Sequence, residues 1–246
     1  MEIALFIPCY VDQFYPQVGI ATLELLEKLG CRVTYPAAQT CCGQPMANSG
    51  CDQDAVQTYH HFVKTFDGFE YIVVPSGSCA YHVRHHYNVI EQTASVRRVR
   101  EKVLDLSEFL LNVLEIKSVN STFPHRVGLH QSCHGLRGLR LGTGSERNMT
   151  SESKLNQLLE MVEDIELVDL QRADECCGFG GTFAVAEPAI SVKMGKDRIA
   201  DHTQAGAEVI TAGDMSCLMH LEGILRRQKS TVKVMHIAEI LNGNPI

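Results

Sequence analysis

The chain writes one cysteine pattern twice. Cys9, the doublet Cys41-Cys42 and Cys79 are matched in the second half by Cys133, Cys176-Cys177 and Cys217, at offsets of 124, 135 and 138 residues. Glycine follows each doublet, as Gly43 and Gly178. A fourth echo closes each half, where residues 102–110 (KVLDLSEFL) answer residues 233–241 (KVMHIAEIL) at an offset of 131. Two long copies with drifting offsets imply a duplicated domain with loop insertions rather than a solenoid of many short repeats. The Gly/Ser-rich run at 141–145 is where the extra length is expected. The halves are expected at 1–120 and 121–246.

Within each half the apolar pattern alternates between two periods. Residues 3–7 form a nearly continuous apolar run, the mark of a strand buried on both faces. Val18, Ala21, Leu25 and Leu29 recur at helical spacing and stop at Gly30. Residues 31–35 and 71–74 read as strands, and 53–66 as a helix. The second half repeats the order: strands at 127–130, 166–170 and 208–210, a helical stripe through Leu155, Leu158, Val162 and Ile165, and a helix over 187–204. This alternation predicts an α/β protein of two pseudo-symmetric Rossmann-like halves, each a parallel sheet flanked by helices.

Each landmark cysteine then falls just past the carboxyl end of a strand, the edge where open parallel sheets bind ligands. Ser76 and Asp214 stand three residues before Cys79 and Cys217 and read as helix N-caps. A thiol in the first turn of the helix faces free N–H groups that favour the thiolate. Neighbouring cysteines on extended backbone are expected to point their sulfurs to opposite sides. One tetrahedral ion usually takes ligands two or more residues apart, so a doublet suits a centre with several metal atoms. The glycine is expected to let backbone N–H groups approach such a centre. An iron–sulfur cluster in each half, [4Fe-4S] by its four thiols, is the first reading. Zinc in a structural or docking module is the second. A thiol–disulfide enzyme is the third and weakest, since no C-x-x-C motif is present.

The bulk properties narrow the setting. Ten cysteines without a basic signal-type start or a long apolar segment point to a cytoplasmic protein, where disulfides rarely persist. Net charge is −7 and no basic stripe occurs, which argues against nucleic acid. There is no dinucleotide fingerprint or P-loop. Cys31 and Cys51 have no counterpart and are expected to be structural. His130 and His134 flank Cys133 and are candidates to replace a thiolate or to hydrogen-bond to the site. His85 and His86 are expected in solvent. Arg137 and Arg140 are expected either to offset thiolate charge, to dock a partner, or to be solvated.

Cys41-Cys42-Gly43-Gln44-Pro45, Cys176-Cys177-Gly178-Phe179-Gly180-Gly181 and the stretch at 213–220 (GDMSCLMH) together resemble the cysteine-rich CCG-domain family, and within it most of all the lactate-utilisation members. The family is also found in heterodisulfide reductases and in the iron–sulfur components of glycolate oxidases. The resemblance implies an iron–sulfur electron-transfer subunit that works beside other subunits, one of them ferredoxin-like, in oxidising L-lactate to pyruvate. The family pattern often ends in C-x-x-C. Here Ser76 and Asp214 stand at the first position of that pair, leaving four thiols per half. The ligand set it implies is Cys9, Cys41, Cys42, Cys79, Cys133, Cys176, Cys177 and Cys217.

Overall fold

A computed structural model describes residues 1–149 and 152–246. In the first lobe the order is β1 (Glu2–Leu5), α1 (Cys9–Phe14), α2 (Pro16–Lys28), β2 (Arg32–Thr34), α3 (Gln44–Asn48), α4 (Asp52–Phe66), β3 (Ile72–Val74), α5 (Gly77–His86), α6 (Ala94–Lys102), β4 (Val103–Asp105) and the short α7 (Leu106–Glu108). The second lobe runs β5 (Arg126–Leu129), α8 (Lys154–Leu159), β6 (Glu166–Leu167), α9 (Thr182–Ala186), α10 (Pro188–Gln204), β7 (Val209–Ala212), α11 (Met215–Gln228), β8 (Lys233–His236) and α12 (Ile237–Asn242).

All pairings between the strands of the two sheets are parallel, in the orders β2-β1-β3-β4 and β6-β5-β7-β8. The expected fold class therefore holds, with the same topology built twice. In each sheet the chain order reverses beside the first strand, between β1 and β3 or β5 and β7. At that switch point the following loops diverge and leave a crevice at the carboxyl edge. The central strand β3 is wholly buried, as its unbroken Ile-Val-Val demands. Helix α2 turns Val18, Ala21, Leu25 and Leu26 inward, and α4 turns Ala55, Tyr59, Phe62 and Phe66 inward, which covers the first sheet.

The echo at the end of each half has a structural cause. Asp105 and His236 each accept a backbone N–H at the start of a helix, and Glu108 and Glu239 reach back to the cap, so both copies form capping boxes. Two expectations need correction. The helical stripe through Ile165 ends early, because α8 stops at Leu159 and Asp164 adopts a left-handed backbone, φ 59°. The strand read at 166–170 keeps only Glu166 and Leu167 in the ladder. No described helix is long and apolar enough to cross a membrane.

The lobes are joined by packing and by named polar contacts. Helices α2 and α12 pack together, with Lys28 donating to the Asn242 carbonyl at 3.0 Å and to its side-chain oxygen at 2.7 Å. Tyr15 donates to Glu222 at 2.7 Å. Ser76 and Asp214, equivalent residues of the two copies, face each other across an antiparallel bridge.

Candidate metal centre

The two switch points open onto one cavity of about 300 Å³, and all eight repeated cysteines line it. In the first lobe Cys9 begins α1 and Cys79 lies in the first turn of α5. The doublet lies on the loop before α3. The second lobe copies the arrangement, with Cys217 in the first turn of α11. Cys9 Sγ lies 3.7 Å from Cys41 Sγ, and Cys133 Sγ lies 3.7 Å from Cys176 Sγ. That is van der Waals contact, far beyond the ~2.05 Å of a disulfide. All ten cysteines are free thiols.

The doublets are not extended strands, and their sulfurs do not diverge to opposite sides as expected. Both members of each pair face the cavity. The chain turns at Gly43, φ 88°, and Gly178, φ 87°, conformations that favour glycine. A side chain at either position would strike the helix behind it: a Cβ on Gly43 would lie 2.5 Å from Tyr59 of α4, and one on Gly178 would lie 2.7 Å from Met194 of α10. Glycine is thus required by the turn and by the helix under it, not by an approach to the cavity. The turn aims the glycine N–H at its own doublet, with Gly43 N donating to Cys41 Sγ and Gly178 N to Cys176 Sγ, both at 3.3 Å.

This geometry sorts the thiols electrostatically. Cys41 is pulled down to about 3 by the thiols of Cys42 and Cys9 and by the Gly43 N–H. Cys176 falls to about 2 through Cys133, Cys177 and the Gly178 N–H. Their neighbours shift the opposite way: Cys9 and Cys133 are raised by the adjacent thiol and by burial, and Cys42 and Cys177 by the thiols on either side and by burial. Cys217 is lowered to about 6, first by Cys177 and then by the His130 imidazole. Each quartet thus concentrates negative charge on the first member of its doublet, and ionisation of the thiols around it is opposed. Cationic metal removes that opposition. Four soft sulfurs per lobe select iron or zinc over the oxygen-seeking calcium and magnesium.

Ser76 and Asp214 are the N-caps expected, and they do more. Ser76 Oγ accepts from Cys79 N at 3.4 Å, fixing the cysteine's helix. Asp214 caps its own α11 through Ser216 N, 3.1 Å, and also accepts Ser78 N of the other lobe at 2.8 Å and Ser76 Oγ at 3.2 Å. One carboxylate holds the first turns of both cysteine-bearing helices.

The histidines divide unexpectedly. His134 is half-buried and lies beside the Tyr81 ring, centroids 5.4 Å apart. His130 is the one against the sulfurs: it is buried, and its ring nitrogen, Cys177 Sγ and Cys217 Sγ all lie within 4.8 Å of one another. Sequence reasoning misses His82, yet it is buried near Cys41, and burial pushes it down to about 3. The repeat holds its signal, since Cys79-x-x-His82 recurs as Cys217-x-x-His220. Tyr10 and Phe179, from different lobes, meet edge-on at 6.0 Å and both line the cavity.

The remaining candidates lie elsewhere. Cys31 is buried in the core as expected, whereas Cys51 is exposed at the start of α4 and does not pack as a small apolar group. His85 and His86 are exposed. Arg137 is held by Glu146 and Asp174, each at 2.9 Å, and so pins loop 141–147 to the segment before the second doublet. Arg140 is exposed.

Two parallel α/β lobes, each bringing four thiols together at its switch point, define a duplicated cysteine-rich protein whose clustered sulfurs suit a metal or a metal cluster. The chain matches the model of the CCG family, described as a cysteine-rich domain, over residues 3–84 and again over 127–222, and it belongs to that family. It is 41% identical over 247 residues to Lactate utilization protein A of an Exiguobacterium species, covering 98% of this chain and 97% of that protein. It is 39% identical over 246 residues to the protein of the same name from Geobacillus thermodenitrificans, covering 98% of this chain and 99% of that one. Among solved structures, a hypothetical protein from Helicobacter pylori shares the fold, with TM-score 0.60 at 12% identity, covering 98% of this chain and 48% of that chain.

Proposed function

We propose that the protein is an iron–sulfur electron-transfer component of an L-lactate-oxidising system, cytoplasmic, with one centre in each of two folding units, residues 1–120 and 121–246. Cys9, Cys41, Cys42 and Cys79 would hold the first centre, and Cys133, Cys176, Cys177 and Cys217 the second. The observation that carries this reading is the same quartet built twice on one cavity, with matching 3.7 Å sulfur contacts. Adjacent thiols favour a [4Fe-4S] cluster over a lone zinc, because neighbouring residues rarely serve one tetrahedral ion. When bound, such a cluster supplies one-electron transfer. The chain's own part is to bury the thiols, to direct the Gly43 and Gly178 N–H groups at sulfur, and to fix the cysteine helices through Ser76 and Asp214. Lactate as the source of electrons rests on the name of the relatives, and a ferredoxin-like partner among other subunits on the resemblance to the family.

The test is iron, acid-labile sulfide and zinc content of protein purified without oxygen. Iron and sulfide in matched amounts, falling by about half in Cys42→Ser and in Cys177→Ser and unchanged in Cys31→Ser, are the expected result. Stoichiometric zinc without sulfide would replace the cluster reading with the zinc one.

A further inference from the structure

The two lobes copy each other's thiols and the His82/His220 pair, but His130 has no copy in the first lobe. From this we infer, resting on the centres proposed above, that the two are chemically different: the second takes His130 as a nitrogen ligand, and the first is ligated by thiolate alone.

His130 directly follows strand β5, one residue past Leu129. Its counterpart in the first lobe, 124 residues earlier, is Phe6, one residue past the end of β1. Phe6 is wholly buried and packs edge-on against Phe62 and Phe66, at 4.9 and 5.7 Å, as an ordinary core residue. His130 is just as buried, at 1% exposure, and the one partner in reach of its ring nitrogens is sulfur: it adds to Cys177 in drawing the Cys217 thiol down, and it meets no oxygen or nitrogen acceptor or donor. A neutral imidazole can donate from one nitrogen and accept at the other, and burying both unpaired is costly. The nearest chemistry that would use a nitrogen lone pair is the sulfur pair, Cys177 and Cys217, within 4.8 Å. Imidazole joins thiolate on iron and on zinc alike. Among the described residues no histidine of the first lobe meets two of its own sulfurs at that range.

The other histidines near the second quartet have different occupations. His220 lies 3.3 Å from the Ser191 carbonyl, within hydrogen-bond reach. His202 packs against Gly128, on the strand rather than among the cysteines. His134 lies against Tyr81. His130 alone is buried, without an oxygen or nitrogen partner, and against two sulfurs.

Where imidazole takes the place of one of the four second-lobe thiolates it donates less charge to iron, and such centres are reduced at higher potential. The second lobe would then be the electron acceptor of the pair, and the duplicated fold would hold two unequal one-electron sites side by side.

The decisive experiment uses full-length protein labelled with 15N-histidine, reconstituted without oxygen from ferrous iron and sulfide and reduced with dithionite. Pulsed EPR is expected to show a directly bonded nitrogen, whose signal changes with the isotope. His130→Phe, which installs the first-lobe residue, is expected to abolish that coupling and to shift the higher of two reduction waves downward, leaving the lower wave in place. His134→Gln and His82→Gln are expected to leave the coupling intact. Iron-loaded wild-type protein with no bonded nitrogen, or a coupling that survives His130→Phe, would overturn the inference while leaving the cluster reading standing. Protein that takes up neither iron nor sulfide would overturn both. The wild-type measurement decides the matter even if His130→Phe fails to fold.

Discussion

Asp214 is the residue whose loss should cost this fold most for its size. It is 2% exposed, and its two oxygens accept four hydrogen bonds. Oδ1 takes Ser216 N at 3.1 Å and Ser216 Oγ at 2.5 Å; Oδ2 takes Ser78 N at 2.8 Å and Ser76 Oγ at 3.2 Å. Asp214→Ala removes the N-cap of α11, worth about 1 kcal/mol. It also leaves the Ser78 N–H and the Ser76 hydroxyl of the opposite lobe in a dry interior, at about 1–3 kcal/mol for each group left unpaired. The total is roughly 3–5 kcal/mol, because Ser76 keeps contacts to Ser78 and Cys79 that soften its share. For a chain of this length each kcal/mol lowers Tm by about 2–4 °C, so a fall of roughly 10 °C is expected. Thr93→Ala calibrates the measurement: Thr93 caps α6 through one bond to Val96 N, 3.3 Å, and its loss should cost about 1 kcal/mol. Urea unfolding of the metal-free protein, followed by circular dichroism, reads both variants. If Asp214→Ala cost no more than Thr93→Ala, the shared cap would not be what ties the lobes, and the account of the cavity's shape would be wrong.

Two further outcomes follow from the same geometry. Gly43→Ala and Gly30→Ala both force a side chain into left-handed backbone, φ 88° and 83°, costing about 1–2 kcal/mol. Only Gly43 has Tyr59 within 2.5 Å of the new methyl, whereas Gly30 has nothing within 4 Å, so in urea unfolding the first variant should lose a further ~1–3 kcal/mol; equal losses would refute the packing argument. Acid should unfold the metal-free protein early. His82, His202 and His236 are held neutral chiefly by burial, at about 3, 2 and 4, so below the ordinary ~6.5 the unfolded chain binds more protons and stability falls with pH. Asp105, raised to about 7 by burial, works the other way, because between its ordinary range and 7 the folded form holds the extra proton. Three buried histidines oppose folding in acid against one buried carboxyl that supports it, so the metal-free protein loses stability as pH falls toward 4.5. Circular dichroism unchanged down to pH 4 would contradict this.

Much of the architecture was legible because parallel strands buried on both faces are written as unbroken apolar runs, such as Ile72-Val73-Val74, and because the same run-and-stripe order occurs twice. The meeting of four cysteines at the carboxyl edge of each sheet was expected from placing each just past a strand. What stayed hidden depends on turns and on the relation between lobes. The doublet reads as extended chain until the positive φ of Gly43 is known, and only that turn brings both sulfurs to one side. His130 and His134 look equal in sequence, one on each side of Cys133. The end of β5 directs the first against Cys177 and Cys217, while the second stays on the cavity wall with its ring against Tyr81. The single cavity could not be read from either half alone, since its wall belongs to both.

The departures from perfect repetition have a physical logic of their own. In a duplicated fold, equivalent residues close to the pseudo-two-fold axis meet each other, so an identical pair must be compatible with itself. Positions 76 and 214 are such a pair, bridged backbone to backbone. Aspartate at both would set two buried carboxylates within hydrogen-bond distance, and like charges there cannot both ionise. Serine at both would leave the Ser78 N–H without a charged acceptor. Serine opposite aspartate supplies one hydroxyl to donate and one carboxylate to receive it, and the same carboxylate still caps α11. Away from the axis the copies are free to agree, as the two doublets and their glycines do, or to differ without meeting, as Phe6 and His130 do. The axis thus enforces asymmetry at its centre, while the thiol quartets to either side keep one and the same arrangement, with matching 3.7 Å sulfur contacts.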